Sequence, residues 1–218
     1  MLQEVVPVAP DLTSRAAARI KPAVSALILL DVMDTLVHDP FFVEVPVHFG
    51  LTLDELVRLK NTEAWIEFEE GRIDEPTYLR RFFADRREFD ASGMIAVIRE
   101  SYRWLDGMET LLGEIQDAGH EMHLLSNYPI WYRMIEEKLR LSRYALWTFV
   151  SCRTTVRKPA AAAFLGAASS LGARVDECVF IDDRAVNCAA ARAHGMTSLQ
   201  FRDAPSLRSE LARLGLLR

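Results

Sequence analysis

Residues 27–30 read Leu-Ile-Leu-Leu and run without interruption into Asp31-Val-Met-Asp-Thr-Leu36. A strand that is apolar at every position, rather than at every second one, is covered on both faces, as in parallel sheets wrapped by helices. Four further apolar runs follow, at Glu121–Leu125, Trp147–Ser151, Cys178–Ile181 and Thr197–Phe201. They alternate with helical patterns that start near Asp106 and at 130–141, 160–171, 184–194 and 206–214, with Gly172 and Gly195 as stop signals. The expected fold is α/β, a Rossmann-like parallel sheet core.

Residues 38–105 read differently. They hold no strand pattern, and their periodicity predicts helices at Leu53–Lys60, Glu63–Glu69, Glu75–Arg87 and Ala91–Arg103. Thr52 and Asp74 are predicted N-caps, and Pro76 falls in a first turn, where its missing N–H costs nothing. The expected organisation is a core of residues 1–37 and 106–218, with a small helical cap, 38–105, inserted after the first strand.

Composition narrows the partners. A formal charge of −5 argues against nucleic acid, whose phosphates are held by clustered Lys and Arg. The arginine pairs Arg80-Arg81 and Arg86-Arg87 are interleaved with Asp85 and Glu88, as on a solvated helix face. Cys152, Cys178 and Cys188 show neither metal spacing nor an even count, which points to a reducing compartment, the cytoplasm. No apolar run is long enough to span a membrane. Glu4 and Asp11 within residues 1–20 speak against an organelle-targeting tail. Nothing in the chain speaks to its oligomeric state.

Four short signals lie just beyond the carboxyl ends of predicted strands, the edge where open α/β sheets bind ligands. Asp31-Val-Met-Asp-Thr35 offers a carboxylate that can attack phosphorus and a hydroxyl that can bind a phosphoryl oxygen. Ser126-Asn127 offers a hydroxyl and backbone N–H groups before a helix, a ready phosphate cradle. Lys158 opens a helix, against the preference of the helix dipole, so it has another task. Asp182-Asp183 ends an apolar strand, and two adjacent acids repel each other unless a cation compensates. Hard oxygen donors of this kind suit Mg²⁺. Singly, each signal has an ordinary explanation: an acidic turn, an N-cap, a solvated lysine, a pair of surface acids. Their order and their shared position at strand ends make them one site.

These residues resemble the haloacid dehalogenase (HAD) superfamily. The resemblance covers about residues 25–205 and implies a HAD fold and a two-step phosphomonoester hydrolysis through an aspartyl-phosphate. It makes Asp31 the nucleophile and Lys158 its charge-neutralising partner. Asp31, the Met33 carbonyl and Asp183 become ligands of Mg²⁺, with Asp182 behind a metal-bound water, and Thr35, Ser126 and Asn127 bind the phosphoryl group. Met33 stands where the superfamily's usual second aspartate protonates the leaving group. Asp34 is one residue late for that role.

A narrower resemblance is carried by Asp31-Val-Met-Asp-Thr-Leu-Val-His-Asp-Pro-Phe42, Val45-Pro-Val-His-Phe-Gly50, Trp65-Ile-Glu-Phe-Glu69, Trp104-Leu-Asp-Gly-Met108 and Ser126-Asn-Tyr-Pro-Ile-Trp-Tyr132. These runs are similar to the subgroup typified by plant chloroplast flavin mononucleotide (FMN) hydrolase, where methionine at this position is usual. That implies a small phosphate ester as partner, with FMN dephosphorylated to riboflavin. Trp65, Phe68 and Tyr128 are then candidate contacts for the flavin ring; packing within the cap is the competing role for each. His38, His48 and His123 show no metal spacing and read as structural or surface residues. Three other functions stay open at this level. They are a phosphatase for a sugar phosphate or nucleotide, a haloacid dehalogenase, and a non-catalytic binding protein of HAD fold, for which Met33 is the motive.

Overall fold

In the computed structural model, residues 25–218 are described; the question of a targeting tail in residues 1–20 lies outside them. Five strands form one parallel sheet: β1 (Leu27–Leu30), β2 (Glu121–Ser126), β3 (Leu146–Val150), β4 (Cys178–Asp182) and β5 (Thr197–Gln200), in the order β3-β2-β1-β4-β5. The chain builds outward from β1 to one side, then returns to add β4 and β5 on the other. β1 and β4 therefore flank the point where the winding reverses. Their register pairs Leu30 with Ile181, so the residues that follow each strand emerge side by side.

The period of two along the strands splits the core into two layers. Ile28, Leu30, Met122, Leu124, Val179 and Ile181 share one buried cluster. Leu29, Leu125, Phe149, Cys178 and Phe180 belong to the other. Each layer is covered by helices, which explains why β1 and β4 carry no polar position before their terminal acids.

The insertion carries α1 (Glu44–Phe49), α2 (Leu53–Leu59), α3 (Thr62–Glu69), α4 (Glu75–Arg80) and α5 (Ala91–Ser101), after a short 3₁₀ turn at Pro40–Phe42. The core adds α6 (Met108–Asp117), α7 (Tyr132–Leu139), α8 (Ser151–Thr154), α9 (Ala161–Ser170), α10 (Ala185–Ala193) and α11 (Ala204–Arg213). Thr52 caps α2 in a capping box with Glu55, and Asp74 caps α4 with Pro76 in the first turn.

Two expectations are corrected. The helix predicted to run from Glu75 to Arg87 ends at Arg80. Beyond it the backbone pairs with the end of α2, through Asn61 N–H to the Phe82 carbonyl and Ala84 N–H to the Leu59 carbonyl. That pairing buries Phe82 and Phe83, which a continuing helix would direct elsewhere. Secondly, α1 had no counterpart in the sequence reading, because Val43, Val45, Val47 and Pro46 are poor helix formers. Pro46 sits within the first turn, and Val45 and Pro46 are buried, so packing overrides propensity.

Insertion and core meet at their connecting segments and between several of their helices. The connecting segments pair with each other: His38 N–H donates to the Arg103 carbonyl at 3.0 Å and Leu105 N–H to the Leu36 carbonyl at 2.9 Å. At the end of α3, Gly71 has φ +69, and a Cβ there would collide with the Cys152 carbonyl of the core. Ser151 Oγ donates to the Glu69 carbonyl, and Trp131 Nε1 donates to the Glu75 carboxylate. Among the described residues no helix is long and apolar enough to cross a membrane.

Candidate active site

Asp31 is the first residue past β1, and its N–H donates to the Ile181 carbonyl at 2.9 Å, which holds it in register with β4. β4 ends on Asp182, and Asp183 follows. Lys158 stands between the strand ends: its Nζ donates to Asp31 Oδ1 and to Asp182 Oδ2, both at 2.6 Å. Asp31, Asp182 and Asp183 each present a carboxylate oxygen within 4.8 Å of the other two. Residues from three distant parts of the chain thus meet at one edge of the sheet.

Neighbouring side chains fix each of these groups. The Asn127 amide clamps the backbone of Lys158, accepting from its N–H and donating to its carbonyl, each at 2.8 Å. Thr35 Oγ1 donates to Asp31 Oδ2 at 3.3 Å and accepts from the Asp183 N–H at 3.0 Å, tying the two acidic loops together. Asp182 is fully buried, and its oxygens accept from Lys158, from the Arg184 N–H and from Asn187 Nδ2. Asp31 and Asp183 are therefore the freer carboxylates. Ser126 Oγ is buried and has no hydrogen-bond partner among the described residues, an open donor beside this cluster.

The electrostatics are those of a site short of positive charge. Burial, opposed by Lys158, pushes the Asp31 carboxyl up to about 7. Burial also raises Asp183, with Asp182 and Asp34 adding to the effect. For Lys158, burial works against the charged form, yet Asp31 and Asp182 outweigh it and raise its pKa. Three acids against one ammonium, in oxygen-only surroundings, fit a small divalent cation. The Met33 carbonyl accepts no hydrogen bond among the described residues, so it is available as a further oxygen donor.

A cavity of about 600 Å³ opens from this cluster and is walled by both core and insertion. Asp31, Met33, Asn127, Tyr128, Lys158 and Asp183 line it, as does Trp65 from α3. Thr35, Ser126 and Asp182 are not part of its lining. Phe68 does not reach it: its ring stacks on Tyr78 at 4.6 Å between centroids and meets Trp131 edge-on at 5.2 Å, inside an aromatic cluster. Trp65 packs against that cluster on one side and the cavity on the other, and the Tyr128 hydroxyl bonds to that of Tyr102 at 2.7 Å.

The cavity also holds charged groups that the sequence reading passed over. Glu69, buried at the end of α3, pairs with Arg157 of the core, Arg157 Nη2 lying 2.7 Å from Glu69 Oε1. Burial raises the Glu69 carboxyl and Arg157 opposes it. Lys60 makes no ion pair within 4 Å among the described residues; its ammonium lies 4.1 Å from the Phe41 ring centroid, and burial lowers its pKa. Asp39 caps the 3₁₀ turn through the Phe41 N–H. These residues sit in helix ends and turns, where a charge ordinarily faces water, so spacing gave no signal for them.

Comparison with known proteins follows this geometry. A relative in Arabidopsis thaliana described as flavin mononucleotide hydrolase 1 is 45% identical over 87% of this chain and 78% of its own length. A sesquiterpene phosphatase of Aspergillus oryzae is 25% identical over 75% of this chain and 85% of its own. Among solved structures, a HAD family enzyme from Bacteroides thetaiotaomicron, in complex with magnesium and inorganic phosphate, superposes with a TM-score of 0.63 at 17% identity, covering 82% of this chain and 94% of that one; at that identity the likeness concerns the fold. The family model for haloacid dehalogenase-like hydrolases matches residues 26–195. With that match over most of its length, and with its acids and lysine gathered where the sheet reverses, this chain belongs to the haloacid dehalogenase-like hydrolases.

Proposed function

We propose that this enzyme hydrolyses a phosphomonoester through an aspartyl-phosphate on Asp31, and that the ester is FMN, released as riboflavin. The observation that carries the chemistry is Lys158 bonded to both Asp31 and Asp182 at 2.6 Å, at the mouth of a cavity with aromatic walls. Lys158 and Asn187 keep Asp182 in place, and Thr35 orients the Asp31 carboxylate, leaving an Asp31 oxygen to form a bond to phosphorus. Ser126 Oγ, buried and without a hydrogen-bond partner among the described residues, is the donor assigned to a phosphoryl oxygen, since the Tyr128 N–H after β2 donates to Ser151 Oγ at 2.9 Å. Asp31, Asp183 and the Met33 carbonyl, with Asp182 beside them, would hold Mg²⁺, which would offset the negative charge shared by nucleophile and substrate.

Residues 38–105 act as the cap and supply specificity, while residues 25–37 and 106–218 carry the nucleophile, the buried lysine and the metal-binding acids. Trp65 and Tyr128 line the cavity with flat faces suited to a planar ring, and a volume of about 600 Å³ lies in the usual range for sites that enclose a ligand of this size. The Arabidopsis relative's description supports FMN, and the relation to a sesquiterpene phosphatase supports hydrolysis of a phosphate ester. Three free thiols support a reducing compartment, cytoplasmic in our reading, although the Arabidopsis protein is described as chloroplastic.

Phosphate release from FMN, a nucleoside monophosphate, a sugar phosphate and an isoprenoid phosphate, with and without Mg²⁺, tests the substrate. FMN turnover well above the others supports the assignment, and sugar phosphate turnover far above it overturns it. Asp31→Asn should keep the fold and lose activity on all of them by at least ~10⁴-fold, as removal of a nucleophile does elsewhere. Turnover that survives EDTA on a haloacid would instead mark a dehalogenase.

A further inference from the structure

The phosphatase reading leaves one chemical role without a residue. Met33 carries a thioether, which has no proton to give to a departing oxygen. That proton matters most when the leaving group is an alcohol, because an alkoxide is a poor leaving group.

We propose that Asp39 is the general acid and base of this enzyme, a role that rests on the phosphatase reading above. Asp39 lines the same cavity as Asp31, Met33 and Lys158. The chain brings it there by folding back after β1: Val37 N–H donates to the Val32 carbonyl at 2.9 Å and Asp34 N–H to the Val37 carbonyl at 2.7 Å. Asp39 Oδ1 is anchored by the Phe41 N–H at 2.9 Å, while Oδ2 has no hydrogen-bond partner among the described residues. One oxygen is fixed and the other is open to a ligand.

Asp34, nearer to Met33 in sequence, is otherwise engaged. Its backbone is left-handed, φ 53, and its Oδ1 accepts the Asp39 N–H at 3.0 Å. It therefore props Asp39 in position. The surroundings of Asp39 also favour a held proton. Burial is the largest influence and, with Asp34 adding to it, lifts the carboxyl to about 6 against the opposing Phe41 N–H, His38 and Lys60. Tyr102 and Tyr128 also face it. A carboxyl with that value keeps a protonated fraction toward neutral pH.

The proton balance closes over two steps. An Asp31 oxygen bonds to phosphorus while the ester P–O bond breaks; the bonding pair goes to the leaving oxygen, which takes the Asp39 proton and departs as the alcohol. The Asp39 carboxylate then takes a proton from water as the water oxygen bonds to phosphorus. The Asp31–phosphorus bond breaks, so Asp31 returns as a carboxylate, phosphate is released and Asp39 is protonated again.

The test compares p-nitrophenyl phosphate, phenyl phosphate and FMN, reading kcat and kcat/KM against pH for the wild type, Asp39→Asn, Asp39→Glu, Asp34→Asn and Asp31→Asn. Asp39→Asn should keep most of kcat/KM on p-nitrophenyl phosphate, whose leaving group needs no proton. Its kcat should fall on every ester, because hydrolysis of the shared aspartyl-phosphate loses its base. Its kcat/KM should fall about 10²–10⁴-fold on phenyl phosphate and FMN, the usual worth of a positioned acid. The fall in activity on those two esters as pH rises through the Asp39 range should vanish with it, and Asp39→Glu should recover part of the loss. Equal loss of kcat/KM on all three substrates, or unchanged kcat/KM for the poor leaving groups, overturns the assignment. So does a selective loss in Asp34→Asn with Asp39→Asn unaffected. Phenyl phosphate keeps the comparison independent of FMN, and Asp31→Asn separates the two readings: if it stays active, the aspartyl-phosphate mechanism fails irrespective of Asp39.

Discussion

Lys158 is the residue on which the buried acids depend. It is fully buried and serves Asp31 and Asp182 with a single ammonium. Removing one partner of a buried charge cluster leaves the others uncompensated, at a cost of about 3–5 kcal/mol. Lys158→Met should therefore lower stability by that order in EDTA, as measured by urea denaturation, and added Mg²⁺ should restore part of it. A variant as stable as the wild type in EDTA would mean that the acids are protonated and uncharged there. Asp39 makes the opposite kind of contribution. Its folded-state pKa, about 6, lies above the ordinary 3.8, so the proton it holds favours the folded state, and that stability is lost as pH rises through about 6. Asp39→Asn removes the ionisation, so thermal denaturation should show it gaining on the wild type between acid and neutral pH, by ~1–3 kcal/mol. A pH-independent difference would show that the Asp39 carboxyl is not shielded from water as its raised pKa requires. At this scale the sequence was informative where chemistry had to sit at a strand end, as with Asp31 and Asp183; Lys158 lies beyond α8 and ahead of α9, and its place before a helix was its signal. It said nothing of Asp39, Lys60, Glu69 or Arg157, because what sets them apart is burial imposed by residues far along the chain.

Elements carry the site through their ends. β1 and β4 were legible to within a residue because nothing but a doubly covered strand explains four or five apolar residues in a row. α4 was overextended because Phe82 and Phe83 continue its helical spacing, and only their pairing with the end of α2 redirects them. α1 was invisible for the converse reason, its helix being made by tertiary packing of valines and a proline. The seam where α3 ends against the start of α8 is a close approach of insertion to core, and Gly71 makes it feasible. Gly71→Ala adds a methyl against the Cys152 carbonyl at a positive φ, so it should destabilise by about 1–3 kcal/mol in chemical denaturation. It should also raise KM more than it lowers kcat, since the seam borders the cavity and not the nucleophile. An unaffected KM would mean that the wall does not depend on this approach.

Across the whole molecule, the same seam carries a buried ion pair. Glu69 is 3% exposed at its side chain and Arg157 29%, so the carboxylate depends more on its partner than the guanidinium does. Arg157→Met should cost more than Glu69→Gln, and the double variant should recover much of the loss, with a coupling of about 0.5–3 kcal/mol. Additive losses would show that the pair contributes no interaction of its own. The placement of the helical insertion between the first two strands followed from the sequence. Its contact surface with the core did not, because pairs such as Glu69 with Arg157 lie far apart in the chain and carry no periodic signal.

The hydrogen-bonded connectors at Leu36–His38 and Arg103–Leu105 have an architectural consequence. A segment that departs and returns through one two-stranded neck enters and leaves the chain of its host at a single address. Another helical segment whose two ends matched that neck would graft there without disturbing Asp31 or Lys158. New substrate preferences can arise at this junction by exchange of a whole unit, while Asp31, Lys158 and the acid pair stay in the core and a replacement brings its own counterpart of Asp39.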